Sequence, residues 1–454
     1  RVENTALQAL ASQVDTRGEG RPLLLFNPLP RARRELVEVQ WNGAEPGHLV
    51  DAEGADVPFQ HLQPTMFGGG SRIAFIADLP AGGYHCYRWA PGEAKVEASN
   101  DCPQAGEYSL ENALWRLEFD PATGYLSRLI DKKTGAVVID GAACVPVVID
   151  DPSDTWAHGW LRFEKEAGRF GDPCFTVVEN GPERAMLRIT QHWGNSTIRQ
   201  EFALAREGRE IGIRLEIDWH EQHRMLKYSV PAAFQKAALT AEIPGGTLAR
   251  AAEGEEDPCY RWIALTGEAS RADGTTLPYT LALLNDSKYG YSCQDTDMRM
   301  SLLRSPIACF HDPARPEPDK EYIFLDQGKQ TVRLALVPGA GTWQKLDLAA
   351  AAEAMHHPPV SVFQYPHAGE WPAKRELLSV KPDNVSILAF KGAEEGPGLV
   401  LRLFETAGVS TEATVSLGER TLITSLGAHE IKTLWLHPQT GSGREVNLLE
   451  ETQE

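Results

Sequence analysis

The segment 107–140 constrains the fold more than any other part of the chain, because its side chains alternate with a period of two. Trp115, Leu117 and Phe119 fall on one face of this segment, and charged residues fall between them on the other. That alternation is typical of a half-buried β-strand. The turn sequence Asp120–Gly124 follows, and a second such turn follows the next apolar run. We therefore predict the strand, turn, strand and hairpin with which a large antiparallel β-sandwich begins.

Composition limits the class of protein and of partner. The 454 residues correspond to about three domains, and a formal net charge of −19 disfavours nucleic acids and anionic membranes as partners. Seven widely spaced cysteines without a CxxC pair favour reduced thiols in the cytoplasm over a disulfide framework or a zinc ribbon. No apolar run approaches the roughly 20 residues that cross a bilayer. Because the chain begins at Arg1 within a helical pattern, we expect it to be a piece of a longer protein.

The pattern of strands and turns predicts four regions. Leu7, Leu10, Ala11 and Val14 form the stripe of one short amphipathic helix. Strands separated by turns such as Gly68-Gly69-Gly70 follow, and an acidic linker from Pro91 to Gly106 precedes a long series of strands without α/β alternation. The predicted regions are a helical segment at 1–20, a small β-sandwich at 21–98, a large β-sandwich at 99–348, and a short helix with a last β-sandwich at 349–454.

The sequence DPSDTWAHGW at 151–160 is the strongest candidate for a loop that faces a ligand. It places two carboxylates, an imidazole and two indoles within ten residues between strands. Sugars present apolar C–H faces beside hydroxyl groups, so aromatic rings next to short polar acceptors suit them. The alternative is a polar surface turn with an Asx-type hydrogen bond and a tryptophan packed inward.

Two arginines are further candidates. Arg250 follows EIPGG, where two glycines let the backbone approach a ligand closely. Arg304 falls on the strand face of Met298, Met300 and Leu302, which indicates burial, pairing or a ligand. Guanidinium groups orient sugar hydroxyls well, and an ordinary ion pair is the alternative for each arginine.

The sequence DWHEQH at 218–223 invites a metal interpretation that its spacing does not support. The HExxH motif of zinc proteases places two histidines four positions apart on a helix. Here His220 and His223 are three positions apart at a strand end, which favours a simple turn. The sequence therefore offers no metal-ligating residues of its own.

Several segments follow one another in an order that is more specific than any one of them alone. They are LLLFNPLPRARRELVEV, YSLENALWRLEFDPATGYLSRLIDKKTG, GNSTIRQEF, EIDWHEQHRMLKYSVP, EIPGG with Arg250, ALLNDSKYGY, MRMSLLRSP, and EIKTLW with EVNLLEE. In this order they resemble the C-terminal region of glycoside hydrolase family 38, the α-mannosidases. The resemblance implies a mainly β fold: a galactose-mutarotase-like supersandwich flanked by two smaller β-sandwich domains, with residues 1–20 as the end of a helical bundle.

The resemblance also implies a function. In that family a retaining mechanism is carried out by an N-terminal α/β barrel, which holds the catalytic carboxylates and the zinc ligands. That barrel is absent here, so we expect no catalytic residue and no metal in this chain, and the missing barrel as its partner in cis. The sandwich would line the far wall of a pocket for an α-mannoside or related carbohydrate. The residues implied are Trp156 and Arg250, with Asp154, His158 and Arg304 as neighbours.

Two other functions stay open. The chain could be a free-standing carbohydrate-binding module, or an enzyme similar to mutarotases. The latter needs a histidine and a glutamate at one anomeric centre, for which His158 or His192 with Glu216 would serve. The sequence also leaves homo-oligomerisation open.

Overall fold

The protein divides into two compact units, which are residues 1–100 with 349–454, and residues 101–348. The computed structural model describes residues 2–42, 46–63, 70–93, 101–309, 311, 317 and 319–451. Strands dominate both units, so the prediction of a mainly β chain with a short N-terminal helix is confirmed. The turn predicted at Gly68 and Gly69 and residues 94–100 of the predicted linker lie outside the described residues.

A short helix opens the first unit. Helix α1 spans Val2–Ala11 and buries Ala11 against a cluster that includes Leu24 and Tyr84. The predicted helical stripe extended to Val14, but the helix ends at Ala11, and Val14 instead forms a β-bridge with Trp371. The strands that follow are β1 Arg21–Phe26, β2 Arg33–Asn42, β3 Gly47–Val50, β4 Asp56–Val57, β5 Phe59–Leu62, β6 Gly70–Leu79 and β7 Tyr84–Pro91.

The second unit begins with the predicted strand and hairpin. Trp115, Leu117 and Phe119 are buried while the residues between them are not. The carboxylate of Asp131 then organises the second turn, because its Oδ1 accepts hydrogen bonds from the backbone N–H groups of Lys133 and Thr134 at 2.8 and 3.2 Å. The first elements are β8 Gln104–Ala105, β9 Ser109–Glu111, β10 Trp115–Phe119, β11 Leu126–Asp131, β12 Ala136–Ala143, β13 Val145–Asp150 and β14 Glu166–Arg169.

The remaining strands of this unit complete two sheets. They are β15 Gly171–Asn180, β16 Arg184–Trp193, β17 Ser196–Ala205, β18 Ile211–Trp219, β19 Arg224–Pro231, β20 Phe234–Ile243, β21 Gly246–Arg250, β22 Glu253–Pro258, β23 Trp262–Arg271, β24 Thr276–Asn285, β25 Gly290–Gln294, β26 Asp297–Arg304 and β27 Gly328–Ala340. A 3-10 helix, Trp343–Leu346, follows. Of the described strands, fourteen form the larger sheet, and six form the smaller one in the order β14-β13-β19-β26-β25-β22.

One hydrophobic core lies between these two sheets. The larger sheet contributes residues such as Ile213 and Leu215, and the smaller sheet contributes Tyr228, Met298 and Met300. Strand β18 buries every second residue, as its sequence predicted. Alternation therefore directs half of the side chains of the smaller sheet away from this core, to its outer face.

An edge of the larger sheet is irregular. Strand β15 pairs with β16 on one side, and the pairing shifts register at two places along it. Pro173 lies in this strand, and Asp172 before it has a φ of 51°. Proline and bulges are typical of edge strands, because they interrupt the row of free backbone donors and acceptors.

The chain then returns to the first unit. Helix α2 spans Leu348–His356 and precedes β28 Val360–Phe363, β29 Lys374–Arg375, β30 Leu378–Lys381, β31 Val385–Gly392, β32 Leu399–Glu405, β33 Thr411–Leu417, β34 Arg420–Leu426, β35 Ile431–Leu436 and β36 Gly443–Val446. Strand β28 pairs with β1 of the first unit. Strands β30 to β36 form two sheets around a core of their own, which we call the C-terminal sandwich. Neither described helix has the length and apolar character needed to traverse a lipid bilayer.

A buried carboxylate holds three loops of the C-terminal sandwich together. Glu405 is fully buried at the end of β32. Its two oxygens accept hydrogen bonds from Asn384 and from the backbone N–H groups of Ala407, Gly408, Val409 and His429, at 2.8 to 3.0 Å. Burial opposes ionisation, but these donors outweigh it and hold the pKa of Glu405 below its ordinary value.

Glu405→Gln should destabilise the C-terminal sandwich by about 1–3 kcal/mol, because the amide replaces an acceptor oxygen with an NH2 group. A carboxyl group with a lowered pKa stabilises the fold above its unfolded-state pKa of about 4.3, and this contribution is lost as the pH falls through the lower folded-state value. Thermal unfolding should therefore show a difference between wild type and variant at pH 7 that shrinks in acid. The control is Glu412→Gln, an exposed carboxylate on β33; equal losses for both variants would refute this role.

Candidate functional site

Most of the predicted site residues meet at one loop. The loop from Asp151 to Lys165 connects β13 to β14 of the smaller sheet, and it carries Asp154, Trp156 and His158. Arg304 ends β26, a strand of the same sheet, and contacts this loop. Arg250 ends β21, which belongs to the larger sheet. The structure therefore brings four of the five residues together.

Arg304 contacts both limbs of the loop: the first limb, from Asp151 to Asp154, and the second limb, which contains Phe163. Its Nε and Nη2 donate to the two carboxylate oxygens of Asp151 at 2.8 and 3.1 Å, and Asp151 is fully buried. Nη2 also donates to Ser153 Oγ at 2.8 Å and to the carbonyl oxygen of Asp154 at 3.3 Å. The guanidinium carbon lies 4.9 Å from the ring centroid of Phe163. A buried carboxylate is costly without such a partner, so the two-pronged pair fixes the loop to the strand.

Asp154 organises the next turn. Its Oδ1 accepts hydrogen bonds from the backbone N–H groups of Trp156 and Ala157 at 2.9 and 3.1 Å. A β-bridge joins Asp154 to Ile307, and Thr155 Oγ1 donates to the carbonyl of Ile307 at 3.0 Å. The bond from the N–H of Trp156 to Asp154 Oδ1 is the Asx-type bond that the alternative interpretation of the loop predicted.

The aromatic side chains of the loop face solvent. Trp156 is 59% exposed and Trp160 is 46% exposed, so the expectation of a tryptophan packed inward is wrong for both. The ring of Trp156 stacks on His158 with 6.4 Å between centroids, and Trp160 stacks on Phe163 with 6.2 Å. His158 also lies 5.2 Å from the ring of His311. The result is an exposed aromatic surface on an anchored turn.

Arg250 lies beside β22, the strand at one edge of the smaller sheet. Its Nη1 lies 3.0 Å from Asp257 Oδ1, so the ion pair expected as the alternative is present. Its Nε is buried and has no hydrogen-bond partner among the described residues. The N–H of Glu256, next to Asp257, donates to the carbonyl of Leu161 at 2.9 Å. The connection between Arg250 and the aromatic loop thus runs through β22.

A buried ion pair on the outer face of the smaller sheet was not predicted from the sequence. Lys227 is fully buried in β19, between two residues that face the core. Its ammonium group donates to the carboxylate of Glu256 and to Ser292 Oγ, the latter at 2.7 Å, and Ser301 Oγ also donates to Glu256. Burial lowers the pKa of Lys227, and the charge of Glu256 opposes that shift.

A signal for this pair was present in the sequence. Lysine is rarely buried without a partner, yet Lys227 interrupts the apolar strand RMLKYSVP. Alternation places it on the face away from the core, where a solvated lysine is the ordinary interpretation. Its partner Glu256 lies in the acidic run EGEEDP, whose members cannot be ranked from sequence alone.

Two side chains of DWHEQH, those of His220 and Glu221, make local polar contacts. His220 Nε2 lies 2.9 Å from Asp218 Oδ1, and Glu221 Oε1 accepts hydrogen bonds from the N–H of Asn195 and from Ser196 Oγ at 2.8 and 2.9 Å. The described residues contain no group of three or more His, Cys, Asp or Glu that could hold a metal ion. They therefore do not fit the zinc that the resemblance implies for the parent enzyme.

The residues considered for mutarotase chemistry are dispersed. His192 lies on β16 and Glu216 on β18, with β17 between them, which separates the two strands by about 10 Å. Glu216 forms ion pairs with Arg199 and Arg214 at 3.6 and 2.7 Å. His158 lies on the loop of the smaller sheet. Among the described residues, Glu216 makes no hydrogen bond or ion pair with either histidine.

Comparison with protein families agrees with this architecture. Residues 110–321 match the glycosyl hydrolases family 38 C-terminal domain, and residues 384–454 match the family 38 C-terminal beta sandwich domain. The chain belongs to glycosyl hydrolase family 38 and corresponds to the C-terminal region of its members. The family 38 resemblance of the sequence is thereby confirmed.

Individual relatives extend the comparison. Human alpha-mannosidase 2C1 is 29% identical over 370 residues, which is 77% of this chain and 33% of the relative. Alpha-mannosidase G from Dictyostelium discoideum is 23% identical over 304 residues, 64% of this chain and 26% of the relative. The chain thus spans a third or less of these curated relatives. A solved alpha-mannosidase from Enterococcus faecalis has the same fold, with a TM-score of 0.76 at 14% identity, over 95% of this chain and 58% of that one.

Glu256→Gln should lower the free energy of unfolding by on the order of 3 kcal/mol at neutral pH, because it removes the carboxylate that pairs with the buried ammonium of Lys227. The charge of Glu256 opposes the effect of burial on the pKa of Lys227, so its removal lowers that pKa further. The folded variant then releases the proton of Lys227 at a lower pH than the wild type does, and it gains more stability as the pH rises toward about 10.4. The loss should therefore shrink in alkali. Urea unfolding at neutral and alkaline pH measures this.

The matched control for that measurement is Glu255→Gln, which removes the neighbouring carboxylate. Glu255 is exposed and lies 3.6 Å from Arg162, a surface pair that contributes little. A Glu256→Gln variant as stable as this control, or one whose deficit grows in alkali, would contradict the assignment of the ion pair.

Proposed function

We propose that the chain is the C-terminal, non-catalytic region of a retaining, zinc-dependent α-mannosidase, which hydrolyses α-mannosidic bonds. In this proposal the chain supports a catalytic domain in cis and supplies part of the wall of the sugar pocket. The names of the relatives support the reaction, since both curated relatives described above are alpha-mannosidases. Their additional length supports a separate catalytic domain.

The exposed aromatic loop is the observation that carries the sugar-binding part of the proposal. Trp156 presents more than half of its surface to solvent, although its backbone N–H is fixed by Asp154. An anchored, exposed indole suits the apolar C–H face of a pyranose ring, and neighbouring polar groups can accept or donate to the hydroxyl groups. His158, stacked on the same ring, is such a group.

Arg250 is proposed as a hydrogen-bond donor to the carbohydrate. One of its terminal nitrogens pairs with Asp257, and the side chain as a whole is 26% exposed. A guanidinium held at one end keeps its orientation and still has N–H groups for a ligand. Asp154 contributes in a different way, because its carboxylate fixes the turn that presents Trp156.

We assign the chemical steps to the catalytic domain. Retaining hydrolysis needs two carboxyl groups about 5–5.5 Å apart, one as nucleophile and one as acid and base. The zinc belongs to the same domain in this proposal, because the described residues do not fit it. The contribution of this chain is then to bind and orient the sugar. We further propose a reducing, cytoplasmic location, which the seven widely spaced cysteines without a CxxC pair support.

Trp156→Ala in the protein that includes the catalytic domain should lower kcat/KM for an α-mannoside by about ten-fold, or roughly 1.4 kcal/mol, because the apolar face of the sugar loses its platform. Steady-state kinetics measure this. Tyr108→Ala is the control, since Tyr108 is also an exposed aromatic residue of the same unit, 38% exposed and packed edge-on against Phe175. Equal values of kcat/KM for the two variants would show that Trp156 does not line the sugar pocket.

The 454-residue chain alone should not hydrolyse p-nitrophenyl α-mannoside, with or without added zinc, because the proposal places the nucleophile and metal elsewhere. The release of p-nitrophenol by the purified chain measures this, with the protein that includes the catalytic domain as the positive control. Turnover above the buffer rate would show that the chain contains its own catalytic residues.

A further inference from the structure

We infer that Arg304 is a positioning residue, which acts on the sugar through the loop that carries Trp156 and does not itself bind the sugar. The inference deepens the proposed function and rests on it for its effect on the substrate. Its structural part, that Arg304 orders the loop, stands on contacts that involve no ligand.

The guanidinium group of Arg304 is largely engaged within the chain. Nε and Nη2 make four hydrogen bonds to the first limb of the loop, and the ring of Phe163 from the second limb lies 4.9 Å from the guanidinium carbon. One edge and one face of the planar group are thus occupied. An arginine used in this way brings both limbs of a loop to one strand end.

The contacts lead from Arg304 to the indole in two steps. Arg304 Nη2 donates to the carbonyl oxygen of Asp154 at 3.3 Å, and Asp154 Oδ1 accepts the backbone N–H of Trp156 at 2.9 Å. Trp156 itself has a large exposed surface, so its orientation depends on its backbone and on the stacked ring of His158. A binding group that is fixed before the ligand arrives loses less entropy on binding.

A lysine could not replace this arginine without loss. The buried carboxylate of Asp151 receives two parallel N–H donors from one planar group, whereas an ammonium group is a point charge without that geometry. The loop is also tied at Leu161, through the N–H of Glu256, and at Asp154 and Thr155, through Ile307, so removal of Arg304 should loosen the loop without detaching it.

The first experiment is hydrogen–deuterium exchange on the protein that includes the catalytic domain, without sugar. We expect Arg304→Met to accelerate exchange at the amides of Trp156 and Ala157 by about ten-fold or more, because local opening exposes them. Arg304→Lys should give a smaller acceleration. The control is Arg184→Met: Arg184 makes a similar two-pronged pair with Glu179, at 2.7 and 2.8 Å, between β15 and β16. Unchanged exchange in Arg304→Met, or equal acceleration in the control, would overturn the inference.

The second experiment is a double-mutant cycle on kcat/KM with Arg304→Met and Trp156→Ala. If Arg304 acts through the loop, its substitution should lower kcat/KM in the wild-type background, mainly through KM, and have no further effect when Trp156 is already alanine. If Arg304 contacts the sugar directly, for example through Nη1, the two losses should multiply, and the inference would be wrong. Arg304→Lys tests the same point should Arg304→Met fail to fold.

The two experiments separate this inference from the proposed function. An unchanged kcat/KM in Trp156→Ala would refute the proposal that Trp156 lines the sugar pocket. Faster exchange in Arg304→Met would still show that Arg304 orders the loop. Conversely, a normal loop in Arg304→Met with a large loss in Trp156→Ala would keep the wall and exclude Arg304 as its positioning residue.

Discussion

Burial of one face of each strand between two sheets is the constraint on which the unit 101–348 depends. The core takes every second side chain of β18 and of its opposite strands, and the remaining side chains must point outward. In the smaller sheet this outward face does not simply meet water. It buries the ammonium group of Lys227, and its strand ends anchor the aromatic loop. The outer face thus carries a second apolar cluster, which includes Val147, Ile149 and Phe163, beside the buried ion pair.

The buried charges of this unit differ in what they connect. The pair of Lys227 and Glu256 joins strands within one sheet, and the pair of Arg304 and Asp151 joins a strand to a loop. Each has further hydrogen bonds with serine hydroxyls: Ser292 and Ser153 accept from the cations, and Ser301 donates to Glu256, which is what a desolvated charge requires. Arg250 has an ion pair and still a buried nitrogen without a partner among the described residues.

Much of the fold could be predicted from the sequence, because alternation and turn composition are local signals. The strand Ile211–Trp219 and the turn at Asp131 follow directly from them. The end of α1 could not be predicted, since the β-bridge of Val14 depends on Trp371 in a distant segment. The loop was recognised from its composition, but the partner of Arg304 lies 153 positions away. Contacts of that kind are fixed by tertiary structure and leave no local pattern.

The interrupted edge at β15 bears on how copies of the chain can associate. Pro173 lacks an N–H group, and two register shifts bend the strand, so a strand from a neighbouring molecule meets a broken ladder of donors and acceptors. Growth of the sheet from one molecule into the next is disfavoured at this edge. Any assembly at that side of the molecule must rely on complementary side chains, which makes it selective for its partner.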